Sequence, residues 1–139
     1  MTAIQTINNF YQNIIDGSVE GITNSYENSE ELYVILEGPR LSNRGAKNIF
    51  KGWADFCASD LTLEKIDWIE GPYAEEKKEM AWVGGVINLT VGIKSKTFTK
   101  TFRASFVLTQ SSDNTWKIKH EHVSGAQEDP YGIGDWLKK

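Results

Sequence analysis

The residues best suited to acid–base chemistry lie near the end of the chain, at His120 and His122. Imidazole titrates close to neutral pH, so histidine is the commonest general acid or base in enzymes. Residues two apart share one side of a β-strand, and alternation over 116–124 places both histidines opposite Lys117 and Lys119. Because the lysine side is the solvent or partner side, the pattern predicts that both histidines point inward. They are then either pocket groups or hydrogen-bonded core histidines.

The same spacing also occurs in metal sites, since two histidines on one side of a strand can ligate one ion. His120 and His122 are the only two histidines of the chain, and the next acid, Glu128, follows a Ser-Gly-Ala turn. A third ligand would have to come from a distant carboxyl such as Glu37. We therefore expect no metal site and no cofactor.

Glu37 is the second candidate for proton transfer. It precedes Gly38-Pro39-Arg40, a loop at the end of a predicted strand. A carboxyl at such a place is either a buried base, with its pKa raised by burial, or an exposed carboxylate paired with Arg40 or Arg44. Both alternatives are compatible with the sequence.

The elements that would position these residues follow from the periodicity of the apolar side chains. Apolar residues three and four apart predict three helices, over 2–16, after Ser18 and over 46–57. Alternation predicts five strands, over 31–37, 61–69, 80–93, 97–109 and 116–124. Helices followed by long consecutive strands predict an α+β fold, with the helices packed on one face of a curved antiparallel sheet.

Two local features qualify this pattern. Gly84-Gly85 interrupts the strand over 80–93 and predicts a bulge or a bend. The tail from Gln127 to Lys139 contains Tyr131 and Trp136, and we expect these aromatic residues to pack on this subunit or on a neighbour.

Composition narrows the class of protein. The chain has 139 residues, 40% of them hydrophobic, which suits one globular domain over 1–139 and excludes a disordered chain. The formal net charge is −4 and the basic residues are scattered, so we expect no nucleic-acid partner. Neither a membrane-spanning run nor a secretory signal is recognisable, which predicts a cytoplasmic protein without a membrane partner. A single cysteine excludes an internal disulfide.

Residues 116–126, WKIKHEHVSGA, resemble the last strand of the NTF2-like superfamily. The resemblance is to its SnoaL-like domains and to the association domain of calcium/calmodulin-dependent protein kinase II. The run Arg103-x-Ser105-x-Val107-Leu108 is similar to an Arg-x-Thr-x-Val-Leu run of SnoaL-like domains. A strand, a loop ending in Gly45 and a tryptophan-bearing helix to Cys57 also fit this family.

The resemblance implies a cone-shaped α+β barrel of the NTF2-like (cystatin-like) type, with an apolar pocket between sheet and helices and dimers formed through the outer sheet face. Within such a pocket, the strand faces and loop positions described above predict ligand-binding roles for Tyr33, Trp53, Trp68, Arg103, His120 and His122, and catalytic roles for Glu37 and His120. Arg103 is expected in the pocket because the family pattern repeats an arginine there. The alternative is an outer-face arginine paired with Glu64, Glu70 or Glu121.

Two functions remain open from the sequence, and whether the protein is an enzyme is open with them. In the first, a homodimer binds a small, largely apolar molecule in its cone and can carry out a cofactor-free isomerisation, cyclisation or dehydration. In the second, a non-catalytic association or regulatory module mediates oligomer assembly. A steroid-isomerase activity is not carried over, because no aspartate of this chain matches the base that this activity needs.

Overall fold

The computed structural model describes residues 1–134, and the predicted order of helices and strands is confirmed within them. The elements are α1 (Ala3–Asp16), α2 (Val19–Asn24), β1 (Tyr33–Ile35), β2 (Asn43–Arg44), α3 (Ala46–Ala58), β3 (Thr62–Glu76), β4 (Met80–Ile93), β5 (Lys96–Gln110) and β6 (Trp116–Ser124). The short strand β2 was not predicted. None of the helices in this part of the chain is both long and apolar enough to cross a membrane. The fold class is α+β, as predicted.

One curved sheet contains the six strands, in the order β2-β1-β6-β5-β4-β3. Neighbouring strands are antiparallel except β1, which runs parallel to β6 and pairs Val34 with Glu121. Strand β3 continues beyond the predicted end, through Gly71-Pro72 to Glu76. It lies at the edge of the sheet, where a residue without an N–H group is tolerated.

Helix α1 begins and ends where the sequence predicts. The Gln5 N–H donates to Thr2 Oγ1 at 3.1 Å, and the Thr2 N–H donates to Gln5 Oε1 at 2.8 Å, which forms a capping box. Gly17 ends the helix at a φ of 69°, in the left-handed region that glycine tolerates. Phe10 and Ile14 on its apolar stripe are buried in the core.

The helices cover one face of the sheet, called here the inner face. Val83 and Phe106 on that face are buried in the same core cluster as the apolar stripe of α1. The opposite, outer face carries side chains such as Trp82 and Val107, which are partly or largely accessible. The inner face is therefore the one on which a pocket between sheet and helices can form.

A β-bulge in β6 exchanges the two faces of that strand. Ile118 pairs with Leu108 of β5, and His120 pairs with Val107, so Lys119 has no residue opposite it. The buried residues of the strand change from even to odd numbers at this point: Trp116, Ile118, Glu121 and Val123. One inserted residue turns every later side chain to the other face, so the strict alternation expected from the sequence ends at the bulge.

The paired glycines of β4 do not form a bulge in β4 itself, so the bulge predicted there is wrong, whereas the bend stays a prediction. The register between β4 and β5 is unbroken through Gly84 and Gly85, whereas β3 carries the irregularities of this part of the sheet. A Cβ atom on Gly85 would lie 2.3 Å from the carbonyl oxygen of Glu70 and 3.0 Å from the Trp68 ring. A residue without a Cβ atom is therefore needed at position 85 for β3 to lie this close to β4.

The described part of the C-terminal tail lies at the surface. Residues 127–134 are exposed, and Tyr131 retains 77% of its accessible area. The expectation that the tail packs on its own subunit is wrong for these residues, and contact with a neighbouring subunit stays a prediction. Trp136, on which the expectation also depended, lies outside the described residues.

Candidate ligand-binding site

A partly open cavity of about 360 Å³ lies between helix α3 and the inner face of the sheet. Helix α3 starts after Gly45, whose φ of 90° favours glycine, and it turns Ile49, Trp53 and Phe56 toward the cavity. The apolar lining consists of Val34, Leu36, Ile49, Trp53, Phe56, Leu61, Leu63, Leu89 and Val91. A cavity of this size and lining suits a small, largely apolar molecule.

Glu37 is the one carboxyl among the described residues that line the cavity. It follows β1 on the loop at the cavity mouth, where the residue as a whole is exposed to solvent. Burial raises the pKa of Glu37, and a hydrogen bond from its own backbone acts in the opposite direction. No salt bridge within residues 1–134 involves it, so the pairing with Arg40 or Arg44 is not formed. Glu37 is thus neither fully buried nor paired with an arginine: it is an unpaired carboxyl at the cavity mouth whose pKa is raised.

Three other polar side chains line the cavity with Glu37: Arg40, Asn43 and Asn48. Asn48 lies on α3, and its side-chain N–H donates to the Arg44 carbonyl at 3.2 Å, which links the helix to β2. Guanidinium and amide groups are hydrogen-bond donors for a ligand oxygen. The site thus combines apolar walls with one carboxyl and several donors.

A second polar group lies deeper, behind the cavity wall. Trp53, whose ring lines the cavity, donates from Nε1 to the Tyr26 hydroxyl at 3.0 Å. The Tyr26 hydroxyl in turn donates to Glu121 Oε1. Glu121 is 2% exposed and lies on β6, between β1 and β5. These three side chains form a continuous hydrogen-bonded chain from the cavity to the middle of the sheet.

Burial dominates the ionisation of this group. It raises the pKa of Glu121 to about 8; the hydrogen bond from Tyr26 acts in the opposite direction, and the charge of Glu37 adds to the increase. Burial and the Glu121 charge also raise the pKa of Tyr26 and of Tyr11. The Tyr11 hydroxyl is buried without a hydrogen-bond partner in the described part of the chain. Glu121 is thus a neutral carboxylic acid at pH 7.

The prediction that both histidines point inward is wrong. After the bulge, His120 and His122 lie on the outer face, paired with Val107 and Ser105. The His120 ring stacks on Tyr33, with centroids 5.6 Å apart, and its Nδ1 donates to the Tyr33 carbonyl at 2.9 Å. Neither the histidines nor Tyr33 line the cavity, so the outer face is where any ligand-binding role of theirs must act.

Arg103 and Trp68 also lie away from the cavity. Arg103 is exposed on the outer face, and its guanidinium donates to Ser124 Oγ and to the Gly125 carbonyl, both at 3.0 Å. The pocket position expected for Arg103 is wrong, because β5 turns its odd-numbered residues outward. Trp68 is on the inner face, but its ring packs against Tyr11 and is outside the cavity lining.

Of the residues assigned to a pocket from the sequence, the structure brings Glu37 and Trp53 together at the cavity. Sequence reasoning missed Glu121 because strict alternation placed it with the lysines. One signal was present: apolar residues occupy even positions up to Ile118 but the odd position Val123. Such a change of parity within one strand indicates a bulge.

The described residues offer no evident metal centre. No group of three or more His, Cys, Asp or Glu side chains within 1–134 is arranged to hold an ion. The two histidines on the outer face are separated by the sheet from Glu37, the third ligand considered from the sequence.

The sequence profile of the SnoaL-like domain matches residues 4–128. The chain belongs to the SnoaL-like domain family. The match covers the helices, the sheet and the cavity described above. No curated protein matches this SnoaL-like chain.

Solved structures show the same NTF2-like fold at low sequence identity. An NTF2-like superfamily protein from Salmonella enterica serovar Typhimurium has a TM-score of 0.77 and 21% identity, over 94% of this chain and 93% of that one. A ketosteroid isomerase-like protein from Erwinia carotovora atroseptica has a TM-score of 0.72 and 8% identity, over 86% and 90%. A protein from Thiobacillus denitrificans, described by its similarity to calcium/calmodulin-dependent protein kinase type II association domains, has a TM-score of 0.71 and 13% identity, over 91% and 96%.

Proposed function

We propose that this SnoaL-like domain binds a small, largely apolar molecule in its cavity and that Glu37 transfers a proton on it. The observation that supports this proposal is Glu37 itself: it is the one carboxyl among the described residues that line a largely apolar cavity, it has no salt-bridge partner there, and its pKa is raised. The reaction class is a cofactor-free isomerisation, cyclisation or dehydration.

The position of Glu37 suits a general base. Burial raises the pKa of its carboxyl, and a base is most effective when its pKa approaches the working pH. The carboxylate takes a proton from a carbon next to a carbonyl group and returns it at another position of the same molecule. Asn43, Asn48 and Arg40 at the cavity mouth are the donors for the ligand oxygen that gains negative charge.

His120 was the other candidate for proton transfer. It lies on the outer face, on the other side of the sheet from the cavity, so it has no part in this proposal. The ketosteroid isomerase-like structural neighbour is compatible with proton transfer in this fold, but that similarity is at the level of the fold alone.

A screen of small neutral ketones and enones by thermal shift tests the proposal. A stabilising compound is then incubated with the protein in deuterated water, and exchange of its acidic protons is followed by NMR. Glu37→Gln should abolish exchange while binding is kept, because the amide preserves shape but accepts no proton. Glu31→Gln, which changes an exposed carboxyl, is the matched control for net charge.

A second variant tests whether binding takes place in the cavity. Gly52 lines the cavity from α3, and a Cβ atom there would have no heavy atom within 4 Å. Gly52→Leu should therefore fold normally and block binding by filling the cavity. Binding that is unchanged in Gly52→Leu would contradict the proposed site, and exchange that persists in Glu37→Gln would contradict the proposed base.

We also propose that the chain forms a homodimer through its outer sheet face. Large apolar side chains are exposed on that face: Tyr73 at 56%, Met80 at 48% and Trp82 at 46%. Glu70 and Glu75 lie on this face on the edge strand β3, and Arg103 lies on the same face two strands away, on β5. A two-fold axis parallel to the strands would place the glutamates of one copy opposite the arginine of the other. The attraction between these unlike charges favours association in that orientation.

Sedimentation velocity at micromolar concentration tests the dimer. Trp82→Lys should produce a monomer, whereas Leu41→Lys, which alters an equally apolar exposed residue on a loop, should leave the dimer intact. A wild-type protein that sediments only as a monomer would contradict this proposal. A ring larger than a dimer, together with an empty cavity, would favour the alternative function of an assembly module.

A further inference from the structure

The hydrogen-bonded chain Trp53–Tyr26–Glu121 has no part in the proton transfer proposed above. It joins three different elements: α3 through Trp53, the segment after α2 through Tyr26, and β6 through Glu121. One end is in the cavity wall and the other is fully buried in the sheet. A change at the buried end can therefore reach the cavity through two hydrogen bonds.

Tyr26, in the middle of the hydrogen-bonded chain, is flanked by residues that form backbone hydrogen bonds to β6. The Ile118 N–H donates to the Ser25 carbonyl and the Glu27 N–H donates to the Ile118 carbonyl, both at 2.8 Å. These bonds fix the backbone on both sides of Tyr26 against β6. The Tyr26 hydroxyl is thus a fixed acceptor for the indole N–H of Trp53, which needs one because it is partly buried.

The surroundings of Glu121 favour its protonated form. Its neighbours in the sheet, Phe106 on β5 and Val34 on β1, are apolar. The titratable groups that act on it are Tyr26, which donates a hydrogen bond, and Glu37, whose charge is repulsive. Tyr11 of α1 is coupled to the same carboxyl. No cation pairs with Glu121 among the described residues, so a negative charge there is left uncompensated.

We propose that Tyr26 and Glu121 are positioning residues for the cavity: while Glu121 keeps its proton they hold the Trp53 indole in the wall, and loss of that proton displaces the indole and weakens ligand binding. This inference rests on the proposed function, because it assigns a control element to the same cavity. A buried carboxylate that lacks a cation is relieved by water. The hydrogen-bonded chain from Glu121 ends at Trp53, and the open volume on the other side of Trp53 is the cavity.

The indole N–H resonance of Trp53 in the full-length, ¹⁵N-labelled protein reports on this coupling directly. The signal is assigned by its loss in Trp53→Phe, and it is followed from acidic to alkaline pH without a ligand. We expect it to titrate with a midpoint near pH 8, since burial raises the pKa of Glu121 to about 8. The indole N–H of Trp68, which donates to Asn8 Oδ1 at 2.9 Å, is an internal control that should not follow this titration.

Three variants separate positioning from a merely structural role. Glu121→Gln is neutral at every pH and still accepts the Tyr26 hydrogen bond, so the Trp53 signal should stay at its acid position throughout. Tyr26→Phe removes the acceptor, so the signal should be displaced at all pH values. Glu37→Gln should keep the titration and lower its midpoint, because a repulsive charge has been removed. A Trp53 signal that ignores pH in the wild type, or is unchanged in Tyr26→Phe, would overturn the inference.

The effect on the cavity is measured with 2-acetylnaphthalene, an apolar ketone that does not ionise. Its dissociation constant should rise at least about threefold from pH 6.5 to pH 9 in the wild type, and stay constant in Glu121→Gln. An equal rise in both proteins would overturn the inference. If the probe does not bind at any pH while the Trp53 signal titrates, the proposed function fails and the coupling of Glu121 to Trp53 is supported.

Discussion

The wild-type protein is expected to lose much of its stability as the pH rises, because Glu121 is buried. Replacing Glu121 with glutamine should abolish this pH-dependent loss. Glu121 is 2% exposed, and burial raises its pKa from the ordinary 4.5 to about 8. In the unfolded chain the carboxyl ionises near its ordinary value. Between the two values the unfolded state has released a proton that the folded state still binds. The free energy of unfolding is therefore highest below pH 4.5 and falls as the pH rises toward 8.

The size of this effect follows from the two pKa values. They differ by about 3.5 pH units, from 4.5 to about 8, and each unit corresponds to about 1.4 kcal/mol. Glu121 therefore lowers the stability by about 5 kcal/mol above pH 8 relative to acid pH, and by about 3 kcal/mol at pH 7. These values are comparable with the whole stability of a small domain.

Glutamine keeps the shape and the acceptor for Tyr26 but does not titrate. Its buried amide N–H groups lack an assigned partner, which costs about 1–3 kcal/mol at every pH. The variant should thus be less stable than the wild type at acid pH. As the pH rises, the unfolding free energy of the wild type falls relative to that of the variant. Between about pH 5 and about pH 8.5, the difference in unfolding free energy should change by about 4 kcal/mol in favour of the variant.

Urea unfolding followed by far-UV circular dichroism at several pH values measures this difference. Other titrating groups are common to both proteins and largely cancel in the comparison. Glu31→Gln, which removes an exposed negative charge, is the control for the change of net charge. Parallel pH profiles for the wild type and Glu121→Gln would refute the reasoning, because they would show that Glu121 does not fold as a neutral, buried acid.

Two further substitutions test the local structure by chemical denaturation. Gly85→Ala should destabilise the fold by about 1–3 kcal/mol, because the added Cβ atom would lie 2.3 Å from the Glu70 carbonyl. Gly84→Ala, whose Cβ atom would lie 3.4 Å from its nearest neighbour, is the matched control, and equal losses in the two variants would contradict this account. Thr2→Ala should cost about 1 kcal/mol by removing the cap of α1, and Thr2→Ser should restore most of it. A neutral Thr2→Ala would show that the capping box adds nothing to stability.

Much of the fold could be predicted from the sequence because it depends on local signals. The apolar stripe and cap of α1 require only a period of 3.6 and neighbouring residues, and they appear as predicted. The long strands β4 and β5 follow from alternation, with ends close to those predicted. Strand β3 was predicted too short because Gly71-Pro72 is a local stop signal, which the edge position of the strand overrides.

The candidate site was less predictable, because it depends on which face each side chain occupies. Glu37 reaches the cavity from a loop at a strand end, as the sequence suggested. His120, His122 and Arg103 do not reach it, although the sequence pattern placed them there. A period-two pattern fixes which residues share a face, but only up to the next inserted residue.

The sequence by itself determined the α+β class, the SnoaL-like family and the carboxyl at the cavity mouth. Each of these depends on residue types and spacings within single elements or motifs. Only the tertiary structure decided that Glu121 is the buried acid and that the histidines face outward. The physical reason is the bulge at Lys119: the pairing of β6 with β5 sets its position, and that contact joins segments distant in the chain.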